Sequence, residues 1–222
     1  MLHRRRDKAS KRLEAHWAAA PADRCPIAPA VPRESQLRVL RTNYRCHQGV
    51  LSVANLCLEM MQLFPDSVDA IEPERAHFAG AAPLLFMDDD FSDVADVFSG
   101  GRTAVSEFGA NQVIIVRNEA AKRALPAQLA GGLALTPWQA KGLEFADVII
   151  YNFFTDSEAP DRAWGAGARE IGVELPDRAA AAFDTRQHLV LSNELKQLYV
   201  AVTRARERLV FFDQSATARE AF

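Results

Sequence analysis

Three short polar clusters hold the residue types that could engage a ligand: "NYR" with Tyr44 and Arg45, "AKGLEF" with Lys141, Gly142 and Glu144, and "VTRARER" with Arg204. They offer contact chemistry, namely cations, an aromatic ring and a carboxylate. Each cluster alone also has a plain structural use. A Tyr-Arg pair can pack, a Lys-Gly pair can make a turn, and an Arg-rich helix end complements the negative helix terminus. The stretch "TPWQAKGLEFADVIIYNFF" sharpens the question, because a buried strand is approached there through Thr136, Pro137, a bulky Trp138 and the charged pair Lys141 and Glu144 around Gly142. Such an approach looks built to touch something. Metal chemistry has little support: the five histidines form no ligand pair at helical spacing. The three cysteines, Cys25, Cys46 and Cys57, lack Cys-x-x-Cys spacing and are odd in number, so they suggest neither a zinc site nor a disulfide framework.

The elements that must position these clusters can be read from periodicity. "PADRCPIAPAVPRES" crowds four prolines into a stretch that cannot be helical, so residues 1–33 read as a basic, Pro-rich segment or linker, with a domain over 34–214 and a tail over 215–222. "QLRVL" reads as a strand leading into "RTNYR". Val50, Val53, Cys57, Met61 and Phe64 recur at helical spacing up to Pro65. "APLLFM", "NQVIIV", "LALT" and "DVIIYNF" read as further strands. Asn118 caps a helix that Pro126 should kink or break. Residues 155–192 are polar, punctuated by Gly and Pro and without a steady period, which predicts a surface excursion. Leu195, Leu198, Val202 and Ala205 then mark a helix with Asn193 as its cap, and "RLVFF" closes the domain as a strand. Strands alternating with helices predict an α/β fold, a mainly parallel sheet with helices on both faces. Ligands of such sheets bind beyond the carboxyl ends of the strands, where the three clusters are expected to fall.

At 222 residues, 49% hydrophobic and 25% charged, the chain suits a globular domain with appendages. Its net charge of -3 gives no global attraction to nucleic acid or to an anionic membrane, so such contact requires a local basic surface. No apolar run reaches the roughly 18 residues of a membrane-spanning helix. The basic start "MLHRRRDKASKRLEAHWAAA" has no secretory apolar core, and Asp7 and Glu14 count against a transit peptide. An intracellular protein, cytoplasmic or nuclear, is expected.

The order and wording of the clusters resemble the second RecA-like domain of UvrD-like superfamily 1 helicases. In that family an "NYR" motif, a "T-x-H-x-[AS]-K-G-L-E-F" motif and a "LYVAxTRA" motif follow one another. "AKGLEFADVIIYNFFTDSE" and "NELKQLYVAVTRARERLVFFD" are closer still to the helicase-like region of the large TPR and ankyrin repeat-containing proteins, and the likeness runs from Leu37 to Asp213. The resemblance implies a RecA-like, P-loop NTPase-related helicase C-terminal domain that works on ATP and Mg2+. It implies that Arg204 is an arginine finger for the γ-phosphate, that Arg45 is a second phosphate contact, and that Tyr44 stacks on adenine. Glu144 would accept from the ribose hydroxyls, and Gly142 would let the backbone pass close to the nucleotide. Thr136 and Trp138 would face single-stranded nucleic acid, DNA ahead of RNA. The family usually has His where Trp138 stands and a small apolar residue where Pro137 stands. A Trp face can stack on a base, worth about 1–3 kcal/mol, or can tuck against the sheet edge.

Half of such an engine is absent from this sequence, since no glycine is directly followed by Lys and G-x-x-x-x-G-K-[ST] is therefore not present. "PLLFMDDD" imitates an apolar strand ending in magnesium carboxylates, but Asp88, Asp89 and Asp90 come after the "NYR" motif rather than before it and read as a solvated strand end. ATP and Mg2+ would thus be held mainly by an N-terminal RecA-like half with its Walker A loop, in the same longer protein or in another chain. The competing expectation is a non-catalytic helicase-like module that binds nucleic acid or protein. On the motor expectation the chain alone should show no ATP hydrolysis above background, with or without single-stranded DNA or RNA. Turnover that survives stringent purification and disappears in Arg204→Ala would mean that a complete engine is present.

Overall fold

The computed structural model describes residues 41–67, 71–86, 111–127, 129–175 and 182–214. The chain divides into two units, Met1–Arg41 and Thr42–Phe222, and all the elements described here belong to the second. The expected strand "QLRVL", the N-terminal segment, Asp88 to Asp90 and the tail lie outside the described residues.

Five strands form one all-parallel sheet in the order β3-β7-β6-β4-β5: β3 (Leu84–Phe86), β4 (Gln112–Val116), β5 (Ala134–Leu135), β6 (Phe145–Tyr151) and β7 (Ala205–Phe212). Two short strands, β1 (Thr42–Asn43) and β2 (Arg75–Ala76), pair separately in parallel. The central strands read as unbroken apolar runs because both faces are covered. Val113, Ile115, Val148, Ile150, Leu209 and Phe211 enter the larger core together with helices α1 (Gln48–Gln62), α4 (Asp161–Glu170) and α5 (Leu189–Val202). Ile114, Val116, Ile149, Tyr151, Val210 and Phe212 face the other way, against Ala121 of α2 (Glu119–Arg123) and Leu129. The expected α/β architecture with helices on both faces is present. Among the described residues no helix is long and apolar enough to cross a membrane.

Local chemistry sets the helix ends. Asn118 caps α2 as expected, its side chain accepting from the Ala121 amide at 2.9 Å, and the helix stops ahead of Pro126. His47 caps α1: Nδ1 accepts from the Gly49 and Val50 amides, so Nε2 carries the proton and donates to the Glu207 carbonyl of β7 at 2.8 Å. The chain passes His47 closely, since a Cβ on Gly80 would lie 2.1 Å from its ring and one on Gly49 would lie 1.8 Å from the Ala81 carbonyl oxygen.

Two expectations are corrected. Helix α5 runs from Leu189 to Val202, so Asn193 is an exposed residue inside it rather than its cap, and Ala205, expected on the helix, opens β7. Buried Leu191 continues the period of Leu195 and Leu198 backwards by one turn. The stretch 155–192 is also more than a surface excursion, because it contains α4, whose Trp164 is fully buried. Its buried face is made mostly of Ala and Gly, which carry no hydrophobic period, and Gly167 allows close packing, since a Cβ there would come within 2.9 Å of Met60.

A buried polar network locks α4 and α5 to the sheet. Arg117, just after β4, makes a two-pronged ion pair with Glu194 of α5, with Nε 2.6 Å from Oε2 and Nη2 bonded to Oε1. Ser157 donates to the same carboxylate at 3.0 Å and accepts from the Trp164 indole at 3.2 Å. Removing one partner of a buried pair strands the other charge, which typically costs about 3–5 kcal/mol, whereas replacing both by apolar groups costs far less. Glu194→Leu should therefore lower stability in urea denaturation by about that amount, and the double variant Arg117→Met, Glu194→Leu should recover most of it. Equal losses in the single and double variants would show that the pair is not the source of the effect.

Candidate functional site

The site is assembled where β6 and β7 begin. These strands are parallel neighbours, so the residues preceding them, Glu144 and Arg204, come side by side, with Phe145 donating its amide to the Arg204 carbonyl at 3.0 Å. Two of the three clusters therefore lie at the amino edge of the sheet, which corrects the expected place beyond the carboxyl ends. A turn that precedes a strand must lie at that strand's amino end. Gly142 makes the turn with φ at 88°, a left-handed conformation that glycine adopts without cost. Nothing lies within 4 Å of where its Cβ would stand.

The "NYR" cluster reaches the same place. Arg45 Nε lies 2.7 Å from Glu144 Oε2, and Arg206 Nη1 lies 3.7 Å from the other carboxylate oxygen. Arg204 is only 9% exposed. Its guanidinium folds back on the end of α5, donating to the carbonyls of Val200 and Leu143 at 2.9 Å each and to the Thr203 hydroxyl at 3.0 Å. It does not reach out freely. It satisfies one of the carbonyls orphaned at a helix end and ties that end to the turn holding Glu144. Burial first, and then the neighbouring Arg45 cation, hold Arg204's pKa below the ordinary arginine value. Burial also raises the pKa of the Cys46 thiol and of the Tyr199 phenol beside it.

Tyr44 is 71% exposed, with its ring centroid 4.9 Å from that of His77. Sequence reasoning passed over Asn43, which shapes this cluster: its Oδ1 accepts from the amides of Arg45 and Cys46 at 2.8 Å, and its Nδ2 donates to Glu74 Oε2 at 2.7 Å. An Asn two residues ahead of an exposed Arg was the available signal for this side-chain turn.

Thr136 and Trp138 belong to a different place, the carboxyl end of β5. Thr136 caps the short helix α3 (Pro137–Ala140) in a capping box with Gln139, and Pro137 occupies the first helical turn, where proline is at home. Gln139 donates to Glu119 of α2 at 2.8 Å, fixing the base of this projection. Trp138 is 75% exposed with the Lys141 ammonium 5.3 Å from its ring centroid, within cation–π reach. Among the described residues no three His, Cys, Asp or Glu side chains gather as metal ligands.

Residues 134–215 match the UvrD-like helicase C-terminal domain. That span includes the turn of Gly142 and Glu144 and the helix end of Arg204, whereas Tyr44 and Arg45 precede it. A human protein, TPR and ankyrin repeat-containing protein 1, is 38% identical over 212 residues, covering 86% of this chain and 7% of that protein. The chain thus corresponds to a small part of a much longer relative. Among solved structures, the C-terminal domain of a possible DNA helicase from Lactobacillus plantarum WCFS1 is 17% identical, with a TM-score of 0.39, and the match covers 81% of this chain and 94% of that one. The resemblance to a UvrD-like helicase C-terminal domain stands on the sequence match.

Asn43 provides a test of how the site is built. Asn43→Ala should lower stability by about 1–3 kcal/mol, because three polar partners lose their contact at once. Asn43→Asp keeps the acceptor for both amides but sets a carboxylate against Glu74, so it should rescue little. Denaturation showing Asp to be as good as Asn would remove the Glu74 contact from this account.

Proposed function

We propose that this domain is the C-terminal motor half of an ATP-dependent UvrD-like superfamily 1 helicase or translocase, an ATP hydrolase when complete. Tyr44 contributes a face for adenine, Glu144 an acceptor for ribose hydroxyls, and Arg45 and Arg204 cations for the phosphates. ATP and Mg2+ are held mainly by an N-terminal RecA-like half with a Walker A loop. Single-stranded nucleic acid, DNA ahead of RNA, runs past Thr136 and Trp138. The protein works inside the cell, in the cytoplasm or the nucleus.

One observation carries this reading: residues far apart in the chain converge on one edge of the sheet, with Arg45 bonded to Glu144 and Arg204 bonded to the carbonyl next to it. The Arg45 and Arg206 guanidiniums pair with the Glu144 carboxylate while Arg204 lies against the carbonyl just before it, and this gathering of cations suits a polyphosphate. The exposed Tyr44 ring beside them suits a base. When bound, ATP supplies the phosphoryl group whose transfer develops the charge these arginines would meet. The alternative, a non-catalytic module binding nucleic acid or protein, draws support from Arg204 itself, whose guanidinium already has three protein acceptors.

The two proposals separate in the full-length protein that joins this domain to a phosphate-loop half. There an arginine finger contributes about 10³–10⁵ in rate, equivalent to roughly 4–7 kcal/mol. Arg204→Lys keeps the charge but loses the planar fork, so turnover should fall nearly as far as in Arg204→Ala while ATP binding weakens much less. Near-normal turnover in Arg204→Lys, or equal losses in binding and turnover, would leave Arg204 as a helix-end brace and favour the non-catalytic module.

A further inference from the structure

The aromatic surface at the site is larger than the "NYR" motif. The His77 ring lies 4.9 Å from the Tyr44 ring with the planes 35° apart, and Phe78 meets His77 edge-on at 6.5 Å and 87°. Such distances are those of interacting aromatic pairs. The His77 backbone is anchored, while its ring is exposed. Its amide donates to the Asn43 carbonyl at 2.9 Å, continuing the pairing in which β1 meets β2, and the Phe78 carbonyl accepts from the Gln48 amide at the start of α1 at 3.1 Å. Glu74, three residues earlier, takes the Asn43 side chain. The segment bearing His77 is therefore laced to the turn bearing Tyr44 on both sides of the ring pair, while Tyr44 stays 71% exposed. One Tyr44 face is occupied and the rest of the ring is open.

We propose that His77 is a positioning residue for base recognition, the second ring of a two-ring platform that holds Tyr44 so that its outer face takes a purine. This rests on the site being a nucleotide half-site. An exposed tyrosine must lose rotamer freedom when a base stacks on it, and a ring already packed against a neighbouring imidazole, itself exposed but carried on a hydrogen-bonded backbone, has less to lose. His77 acts through Tyr44 and not on the phosphates, so its effect is confined to ligands that carry a base.

The test uses the full 222-residue chain labelled with fluorotyrosine, whose three tyrosines, Tyr44, Tyr151 and Tyr199, are assigned by fluorine NMR with Tyr44→Phe. ADP and inorganic pyrophosphate are titrated separately, in the range on the order of millimolar expected of a half-site. ADP should move the Tyr44 resonance. His77→Ala should weaken ADP about 3- to 10-fold while leaving pyrophosphate unchanged, and His77→Phe should restore ADP affinity. An unshifted Tyr151 resonance in the variants shows that the fold is retained, and His77→Gln serves as a second non-aromatic variant. Unchanged ADP affinity in His77→Ala and His77→Gln, or equal losses for ADP and pyrophosphate, would overturn the role of His77 if Tyr44→Ala still weakens ADP. ADP affinity that is indifferent to Tyr44→Ala as well would overturn the nucleotide half-site itself, and the platform with it.

Discussion

The parallel pairing of β6 with β7 is the constraint on which the site depends. Parallel neighbours start at the same edge, so whatever precedes one strand is brought beside whatever precedes the other. Phe145 pairs with Ala205, and this register alone sets Glu144 next to Arg204 across a long stretch of sequence. Between that pair and Asp147–Arg208 the register shifts by one residue, and from there to Tyr151–Phe212 it is fixed by burial on both faces, because a slip by one residue would exchange the apolar sets that face the two cores. Asp147 and Arg208, paired across the same strands with 2.6 Å contacts and joined by Gln112 at 2.9 Å, reinforce it near the amino edge. The site is thus a consequence of how the sheet packs, and the "NYR" turn needs only to be delivered to it by α1.

That delivery depends on backbone fit more than on apolar area. His47 bridges the start of α1 to the Glu207 carbonyl of β7, and it can do both only as the neutral ring with its proton on Nε2. Gly49 and Gly80 leave the room for this arrangement. Cys46, buried beneath the turn, approaches the Thr203 carbonyl with its sulfur at 3.9 Å, so the residue after Arg45 is wedged against the residue before Arg204. Arg45 and Arg204 are thus placed by one continuous set of contacts.

Much of the fold was legible because its signals are local. The apolar runs of β4 and β6, the period of α1 and the Asn118 cap each follow from a few adjacent residues. What was not legible depended on partners distant in sequence. The α4 stretch hid its burial behind Ala and Gly, and the role of Glu194 needs Arg117 to be seen. At the site, residue types and motif order pointed to Arg45, Glu144 and Arg204, but they placed these residues at the wrong edge of the sheet. They could not show that Arg204 folds back on its own helix end. His77 and the Glu74 contact of Asn43 were overlooked for the same reason, since their partners are 33 and 31 residues away, whereas the turn that Asn43 makes with the Arg45 and Cys46 amides is local.

The arginines differ in how readily they could change partners, and this bears on the proposed motor. Arg45 holds Glu144 at a half-exposed surface, where an ion pair is worth about 0–1 kcal/mol, so exchanging that carboxylate for a phosphate oxygen costs little. Arg204 gives three of its five N–H donors to neutral acceptors, and bonds from a charged donor are worth about 1.5–3 kcal/mol each net. It would surrender these only to an anion held close against it, since the new partner must replace several bonds that a charged donor already makes. A mobile polyphosphate would therefore recruit Arg45 first. Arg204 would respond only when a second body presses the phosphates into this edge, which makes its engagement a measure of closure between the two halves rather than of binding to this one.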